Sequence, residues 1–155
     1  MEWIWNTSEF VRRVRCQMRF GHLSRSALKL VRLELREHEA ECEWIARAND
    51  PWDSDLPAQS RKRHHAEQAL RDAIRLRELL FASLPGIDTL VVKAYREKQG
   101  ELELIVFGVL ERADVVAPKI ASLAMRAKLY GLRFCLEDGC LQAMRIDTAE
   151  FVFPR

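Results

Sequence analysis

The chain has 155 residues, of which 48% are hydrophobic and 31% are charged, and its 25 basic side chains nearly balance 23 acidic ones. This composition is typical of globular proteins, excludes an intrinsically disordered chain, and indicates no general attraction to a polyanion. No apolar run reaches the roughly eighteen residues of a membrane span. The opening segment lacks a basic region before its apolar residues, and the four cysteines are scattered without CxxC spacing. We therefore expect a single cytoplasmic domain, residues 1–155, with reduced thiols.

A first amphipathic helix is predicted over residues 9–20. Its apolar residues fall on one helical face, Thr7 or Ser8 is the expected cap, and Gly21 is the expected end. The apolar face is formed by Phe10, Val11, Val14 and Met18. Arginines line the opposite face.

Residues 27–47 are compatible with either one long charged helix or a β-hairpin. A helix would stack Glu37 on Glu41 at a spacing that disfavours like charges. Apolar and charged residues alternate from Ala40 to Ala46, as in a half-buried strand. The alternation favours two strands, at about 28–36 and 40–47.

An internal repeat supports the hairpin interpretation. Residues 30–45 align without gaps on residues 90–105, and seven of the sixteen positions are identical, where unrelated sequences would share about one. The second segment has Gly100 between two β-rich runs, which predicts a hairpin with strands at about 88–96 and 101–110. Two unrelated hairpins would also share part of this alternation. The identical positions are Leu30 and Leu90, Val31 and Val91, Arg36 and Arg96, Glu37 and Glu97, Glu41 and Glu101, Glu43 and Glu103, and Ile45 and Ile105.

The remaining segments predict two more helices and a terminal hairpin. A helix is expected at about 58–83, after a loop in which Asp55 is a candidate cap. Another begins at Asp114 or Ala117, with Pro118 in its first turn, runs to about Tyr130 and has a core stripe of Ile120, Leu123, Ala124 and Ala127. Asp138-Gly139 predicts a hairpin turn within residues 132–146, and a last short strand is expected through Phe151-Val152-Phe153.

These elements predict an α+β fold in which an antiparallel sheet packs helices on one face. The sheet would be built from two hairpin-plus-helix units, residues 28–83 and 88–131, related by duplication at an offset of 60 residues. The terminal hairpin and the amphipathic helix at 9–20 complete the predicted fold.

One set of basic residues is a candidate nucleic-acid surface. Arginine donates two parallel hydrogen bonds to one phosphate, and such residues recur on both long helices. The alternative is a solvated helix face balanced by the glutamates of residues 34–43. The candidates are Arg12, Arg15, Arg19, Arg61, Lys62 and Arg63.

Tryptophans outside the predicted core are candidate contacts for another protein, because exposed tryptophans contribute strongly to interfaces. Trp3 and Trp5 precede the arginine-rich helix, where packing on the domain's own sheet, a homodimer contact or a membrane surface would each cover them. Trp52 lies between Pro51 and Asp53. The favoured interpretation is that it folds back against the edge of the core, and the alternative is an exposed anchor.

Motifs for catalysis or cofactor binding are weak. Asp53, His64 and His65 form the best candidate metal or acid–base cluster, but their spacing matches no established ligand pattern, and no catalytic residue or cofactor is assigned. No glycine-rich phosphate loop is present. Cys42 and Cys135 are predicted to be small inward-facing strand residues.

The sequence therefore favours a non-enzymatic protein-interaction or assembly module that forms a homo-oligomer. Nucleic-acid binding through the arginine-rich helix surface is the alternative, and a small enzyme that uses the Asp/His cluster is the second alternative.

Overall fold

The structure, a computed structural model, describes residues 2–19, 21, 24, 26–49, 51–117 and 119–145, without the side chains of residues 2–8. The described elements are α1 (Glu2–Gln17), β1 (Lys29–Leu35), β2 (Glu39–Ile45), a 3-10 helix (Pro51–Asp55), α2 (Ala58–Ser83), β3 (Thr89–Lys98), β4 (Glu101–Glu111), α3 (Leu123–Leu129), β5 (Leu132–Arg133), β6 (Leu136–Glu137) and β7 (Cys140–Leu141). None of the described helices combines the length and apolar character needed to cross a membrane.

A five-stranded sheet is the centre of the fold, with strand order β1-β2-β3-β4-β5. β1 pairs antiparallel with β2, and β3 pairs antiparallel with β4. β2 and β3 pair in parallel, from Glu39 opposite Thr89 to Ile45 opposite Tyr95. The expectation of a wholly antiparallel sheet is therefore wrong at this one pairing. Parallel neighbours need a crossover connection, and the chain supplies it as α2.

The ambiguous segment forms the β1–β2 hairpin and not a helix. Ala40, Cys42 and Trp44 are buried on one face of β2, and the glutamates of β2 project from the other. Basic residues on both neighbouring strands pair with those glutamates. The ion pairs are Arg36–Glu39 at 2.9 Å, Arg36–Glu41 at 3.4 Å, Arg32–Glu43 at 3.4 Å and Lys93–Glu41 at 3.2 Å. Cross-strand pairing thus removes the like-charge repulsion that a helix would have created.

The hydrophobic core lies between the helices and one face of the sheet, called the covered face below. α2 contributes the largest set of buried residues, and Phe10, Val14 and Met18 attach α1 to the same cluster. Residues of the covered face in this cluster are Ala40, Cys42, Trp44, Leu90, Val92, Ala94, Val106 and Leu110. The opposite, outer face carries the paired glutamates. The observed fold is therefore α+β with a mostly antiparallel sheet.

Several predicted helix boundaries are wrong. α1 begins at Glu2, so Thr7 and Ser8 lie inside the helix and do not cap it. α2 covers the predicted range, but Pro57 stands at its N-cap, and Asp55 ends the 3-10 helix. α3 begins only at Leu123, because the Ser122 hydroxyl accepts a hydrogen bond from the Met125 amide at 3.2 Å.

The terminal hairpin is shorter than predicted. Leu132 and Arg133 pair with β4 in the main sheet, and only β6 and β7 pair with each other. Asp138 and Gly139, both with positive φ, form the turn between them, as the sequence predicts. Pro118 and the predicted strand at 151–153 lie outside the described residues.

Arg47 is a buried charge that ties α1, α2 and the start of β1 together. Only 2% of the residue is exposed, and its Nε donates to Asp72 Oδ2 at 2.8 Å. Its other nitrogens donate to the carbonyl oxygens of Met18, Arg19 and Ser26. Burial raises the pKa of Asp72, and hydrogen bonds from Arg47 and Gln68 oppose that shift. The two side chains are therefore close partners in a buried environment.

A second arginine, Arg112, binds the C-terminal end of α2. The Arg112 guanidinium donates to the carbonyl oxygens of Phe81, Leu84 and Ile87 at 2.7–2.8 Å. These carbonyls lie in the last turn of α2 and just beyond it, where helical partners are missing. Arg112 also lies over the Phe81 ring, 4.8 Å from its centroid. Arginine contacts thus hold α2 near its middle, at Asp72, and at its C-terminal end.

We expect Asp72→Asn to lower the free energy of unfolding by about 3–5 kcal/mol, because it leaves the buried Arg47 charge uncompensated. Asp55→Asn is the matched control, since Asp55 is exposed, and it should change stability by less than about 0.5 kcal/mol. Urea unfolding followed by circular dichroism measures both. Equal midpoints for the two variants would show that the Arg47–Asp72 pair contributes little.

Candidate functional site

The basic residues at the start of α2 line a cleft. It has a volume of about 700 Å³ and lies between the first turns of α2, the end of β3 and the β6–β7 hairpin. Its volume is within the range of small-molecule sites. The lining residues are Asn49, Ala58, Gln59, Arg61, Lys62, His65, Arg96, Glu97, Lys98, Glu137, Asp138, Cys140, Leu141 and Gln142.

Contacts between α2 and its neighbours hold the walls of this cleft in place. The Gln59 side-chain amide donates to the Asp138 carbonyl oxygen, which ties the hairpin turn to the first turn of α2. A Cβ atom at Gly139 would lie 2.6 Å from Arg63 Cγ, so the stem of Arg63 crosses this glycine closely. The Asn49 side chain donates to the Arg61 carbonyl oxygen at 2.8 Å. The positions of these walls are therefore set by direct contacts.

Arg96, near the end of β3, joins the sheet to the hairpin beside the cleft. It donates to the Leu141 carbonyl oxygen at 2.7 Å and to Glu103 Oε2 at 2.8 Å. The hydrogen bond from Arg96 lowers the pKa of Glu103. No sequence spacing indicated that Arg96 would meet the start of α2, because only the register of the sheet brings them together.

His65 supplies an imidazole that is mostly buried in the cleft wall. Burial lowers its pKa, and the nearby positive charge of Arg96 lowers it further. An imidazole has an ordinary pKa near 6.5, so this shift keeps His65 neutral at neutral pH. Protonation of His65 would add a positive charge to the cleft under acidic conditions.

Basic side chains in the cleft outnumber acidic ones by four to three. The basic ones are Arg61, Lys62, Arg96 and Lys98, and the acidic ones are Glu97, Glu137 and Asp138. Arg96 and Lys98 share Glu103, at 2.8 and 4.0 Å. Arg61 and Lys62 form no ion pair with any described residue. The two basic residues beside the positive end of the α2 dipole are therefore available to an anion.

The other predicted basic residues lie elsewhere. Arg12 and Arg15 are exposed on α1, Arg19 is exposed just beyond its end, and none of the three lines the cleft. Among the glutamates of residues 34–43, Glu41 and Glu43 form ion pairs with the sheet residues Lys93 and Arg32.

Trp52 is 82% exposed on the 3-10 helix, so the favoured expectation that it folds back against the core is wrong. Pro51 and the short 3-10 helix hold the backbone there, and the first turns of α2 follow directly. Trp3 and Trp5 lie in α1, but their side chains are outside the part of the chain that the structure describes.

The predicted metal cluster assembles only in part. His64 Nδ1 lies 3.3 Å from Asp53 Oδ2, whereas His65 faces the cleft beside Arg96. No group of three His, Cys, Asp or Glu side chains among the described residues could hold a metal ion. The Asp53–His64 pair therefore orients one imidazole without forming a larger site from described residues.

The cysteines occupy different environments. Cys42 is fully buried as predicted, and burial raises the pKa of its thiol to about 12. Cys135 is exposed, so its predicted inward position is wrong, because the chain between β5 and β6 leaves the sheet at this point. Cys140 lines the cleft.

We expect the stability of the protein to fall between about pH 7.5 and about pH 5.5, and His65→Gln to reduce that loss. The folded state binds a proton at His65 less readily than the unfolded chain does, so acidification through the ordinary histidine range favours unfolding. Thermal unfolding at both pH values measures the effect. His38→Gln is the control, because His38 is exposed, and an equal effect of both variants would contradict the prediction.

No protein-family model, curated protein or solved structure matches this chain. The chemistry assigned to the cleft therefore comes from its own residues. These are two basic side chains without an ion pair to a described residue, an imidazole with a lowered pKa and an acidic turn around one ligand-sized space.

Proposed function

We propose that the protein is a binding module whose cleft takes a small phosphorylated ligand of the size of a mononucleotide or a sugar phosphate. The observation that carries the proposal is the position of Arg61 and Lys62, which form no ion pair with a described residue and line a cleft of about 700 Å³. A cleft of this volume falls within the size range of small-ligand sites.

The phosphate would bind at the α2 side of the cleft. The guanidinium of Arg61 presents a planar fork that matches two phosphate oxygens, and the Lys62 ammonium adds a mobile positive charge. The first backbone amides of α2 lack helical partners, and the helix dipole favours an anion at this end. Recognition would thus rest on side chains and the helix start, since the sequence has no glycine-rich phosphate loop.

The rest of the ligand would face the β6–β7 hairpin. Glu137 and Asp138 are acceptors for hydroxyl or amino groups, and the amides of Asn49 and Gln142 both donate and accept hydrogen bonds. A phosphate attached to a hydroxyl-rich or amino-bearing group therefore complements both sides. A ligand with phosphate at both ends would meet repulsion at Glu137 and Asp138.

We expect AMP to bind in isothermal titration calorimetry at low ionic strength, and Arg61→Gln or Lys62→Gln to weaken it about tenfold, which corresponds to ~1.4 kcal/mol. Inorganic phosphate and ribose 5-phosphate are the comparison probes. The difference in affinity between these two gives the contribution of the sugar, and the difference between ribose 5-phosphate and AMP gives that of the base. Arg12→Gln is the matched control, because Arg12 is an exposed arginine outside the cleft.

Absence of binding by all three probes would contradict the proposal, and so would equal weakening by Arg12→Gln. A single-stranded oligonucleotide that binds through Arg12, Arg15 and Arg19 as well as Arg61, Lys62 and Arg63 would instead support the nucleic-acid alternative. Such binding would weaken steeply with added salt, because each neutralised phosphate releases counterions.

A protein-interaction role is the second candidate, and the exposure of Trp52 supports it. An indole that is 82% exposed on a short folded helix is typical of an interface anchor. Asp53 and Asp55 flank it on the same 3-10 helix. The partner that this surface fits is a protein with an apolar pocket rimmed by basic side chains.

We expect Trp52→Ala to change the free energy of unfolding by less than about 0.5 kcal/mol, because the indole buries little surface. Trp44→Ala should cost about 3–5 kcal/mol, since Trp44 is fully buried between the sheet and the helices. Chemical unfolding followed by circular dichroism compares the two variants. A large loss for Trp52→Ala would show that this residue is structural.

The duplication of the two hairpin-plus-helix units remains a hypothesis that the repeat supports. The equivalent residues Leu30 and Leu90 both face the core cluster, and the equivalent Arg36 and Arg96 both pair with a glutamate on the adjacent strand of their own hairpin.

A reducing compartment such as the cytoplasm would suit a chain whose described thiols are free.

A further inference from the structure

Within the described part of the chain, the outer edge of β1 is an unpaired sheet edge. β1 is the first strand in the order of the sheet, and no described strand pairs with its outer side. The Arg36 amide donates inward to the Glu39 carbonyl oxygen at 2.7 Å. Backbone groups alternate along an antiparallel strand, so those of Glu34 and Arg32 also point toward β2. The amide and carbonyl groups of Leu33 and Leu35 therefore point outward and are open to another strand.

The side chains of β1 divide between the two faces of the sheet. Leu33 and Leu35 are only partly buried against the core on the covered face. Arg32 and Glu34 project from the outer face, and their side chains are 50% and 40% exposed. Val31, at a bulge in the β1–β2 pairing, is 51% exposed. A row of backbone groups without a described partner strand is a template for strand addition. The half-covered apolar residues and the two opposite charges would lie against the added strand.

We propose that a second copy of this chain adds its own β1 to this edge, antiparallel, with the two-fold axis at Leu33. Arg32 of each copy then lies opposite Glu34 of the other on the outer face, which gives two symmetric pairs of opposite charge. Val31 lies opposite Leu35 of the second copy and loses its exposure. The two five-stranded sheets become one continuous sheet across an isologous interface.

The charge pattern selects this register among those that the outward backbone groups allow. Centring the pair on Glu34 would oppose Glu34 to its own copy and Arg32 to Arg36, and like charges at directly opposite positions are destabilising. Centring it on Leu35 would oppose Glu34 to Arg36 but would run into the turn at Glu37 and His38. Only the Leu33 register uses the strand from Val31 to Leu35 with complementary charges.

Charge-reversed variants test both the interface and its register. Native mass spectrometry and size-exclusion chromatography should show a dimer for the wild-type chain. Arg32→Glu alone and Glu34→Arg alone each create like charges at both symmetric pairs, so each should weaken its own dimer by roughly tenfold or more. An equimolar mixture of the two variants should form a heterodimer, because every opposed pair is then complementary.

Arg36→Glu is the matched control, because Arg36 opposes Leu30 in the proposed register and its reversal should leave the dimer intact. Arg32 also pairs with Glu43 in its own chain, so thermal unfolding checks that each variant folds. Formation of a heterodimer from two monomeric variants excludes unfolding as the cause of the loss. A monomeric wild type, dimers of both single variants, or a mixture without heterodimer would each overturn the proposal.

Discussion

The buried guanidinium of Arg47 is the contact on which the placement of the helices depends. It lies just after β2, where it neutralises Asp72 on α2 and binds the last carbonyl groups beyond α1. A buried charge is costly unless its partners satisfy it, so the three segments have to meet at one point and in one orientation. Apolar packing alone is less directional and would allow α1 and α2 to shift along the sheet.

The fixed position of α2 in turn places the cleft. Arg112 holds the carbonyl groups at the end of α2, and Arg47 holds Asp72 near its middle. The first turns of α2 then project to the end of β3, where Gln59 and Arg63 meet the β6–β7 turn. The basic start of a long helix, the end of a strand and a separate hairpin thus share one space. Charges far apart in the sequence line the same cleft because the helix is held at two points.

Charged residues also pair on the outer face of the sheet, and they lose less contact with water than the buried Arg47–Asp72 pair does. Glutamates on β2 lie between basic residues on β1 and β3, and the exposed side chains keep contact with water. Pairs of this kind contribute little stability, but their pattern distinguishes one strand register from another. At the β1 edge the pattern of Arg32 and Glu34 is complementary to itself, which is the basis of the proposed pairing with a second copy.

The sequence by itself determined the type of most elements. Period-two alternation identified the β1–β2 hairpin, the Asp138-Gly139 turn was placed correctly, and α2 was predicted residue by residue, because these signals depend on near neighbours. Only the tertiary structure decided the parallel β2–β3 pairing, the exposure of Trp52 and the meeting of Arg61, Lys62, His65 and Arg96. These features depend on where α2 returns the chain to the sheet. That return is set by the contacts of Arg47 and Arg112, which join residues between 21 and 31 positions apart in the sequence.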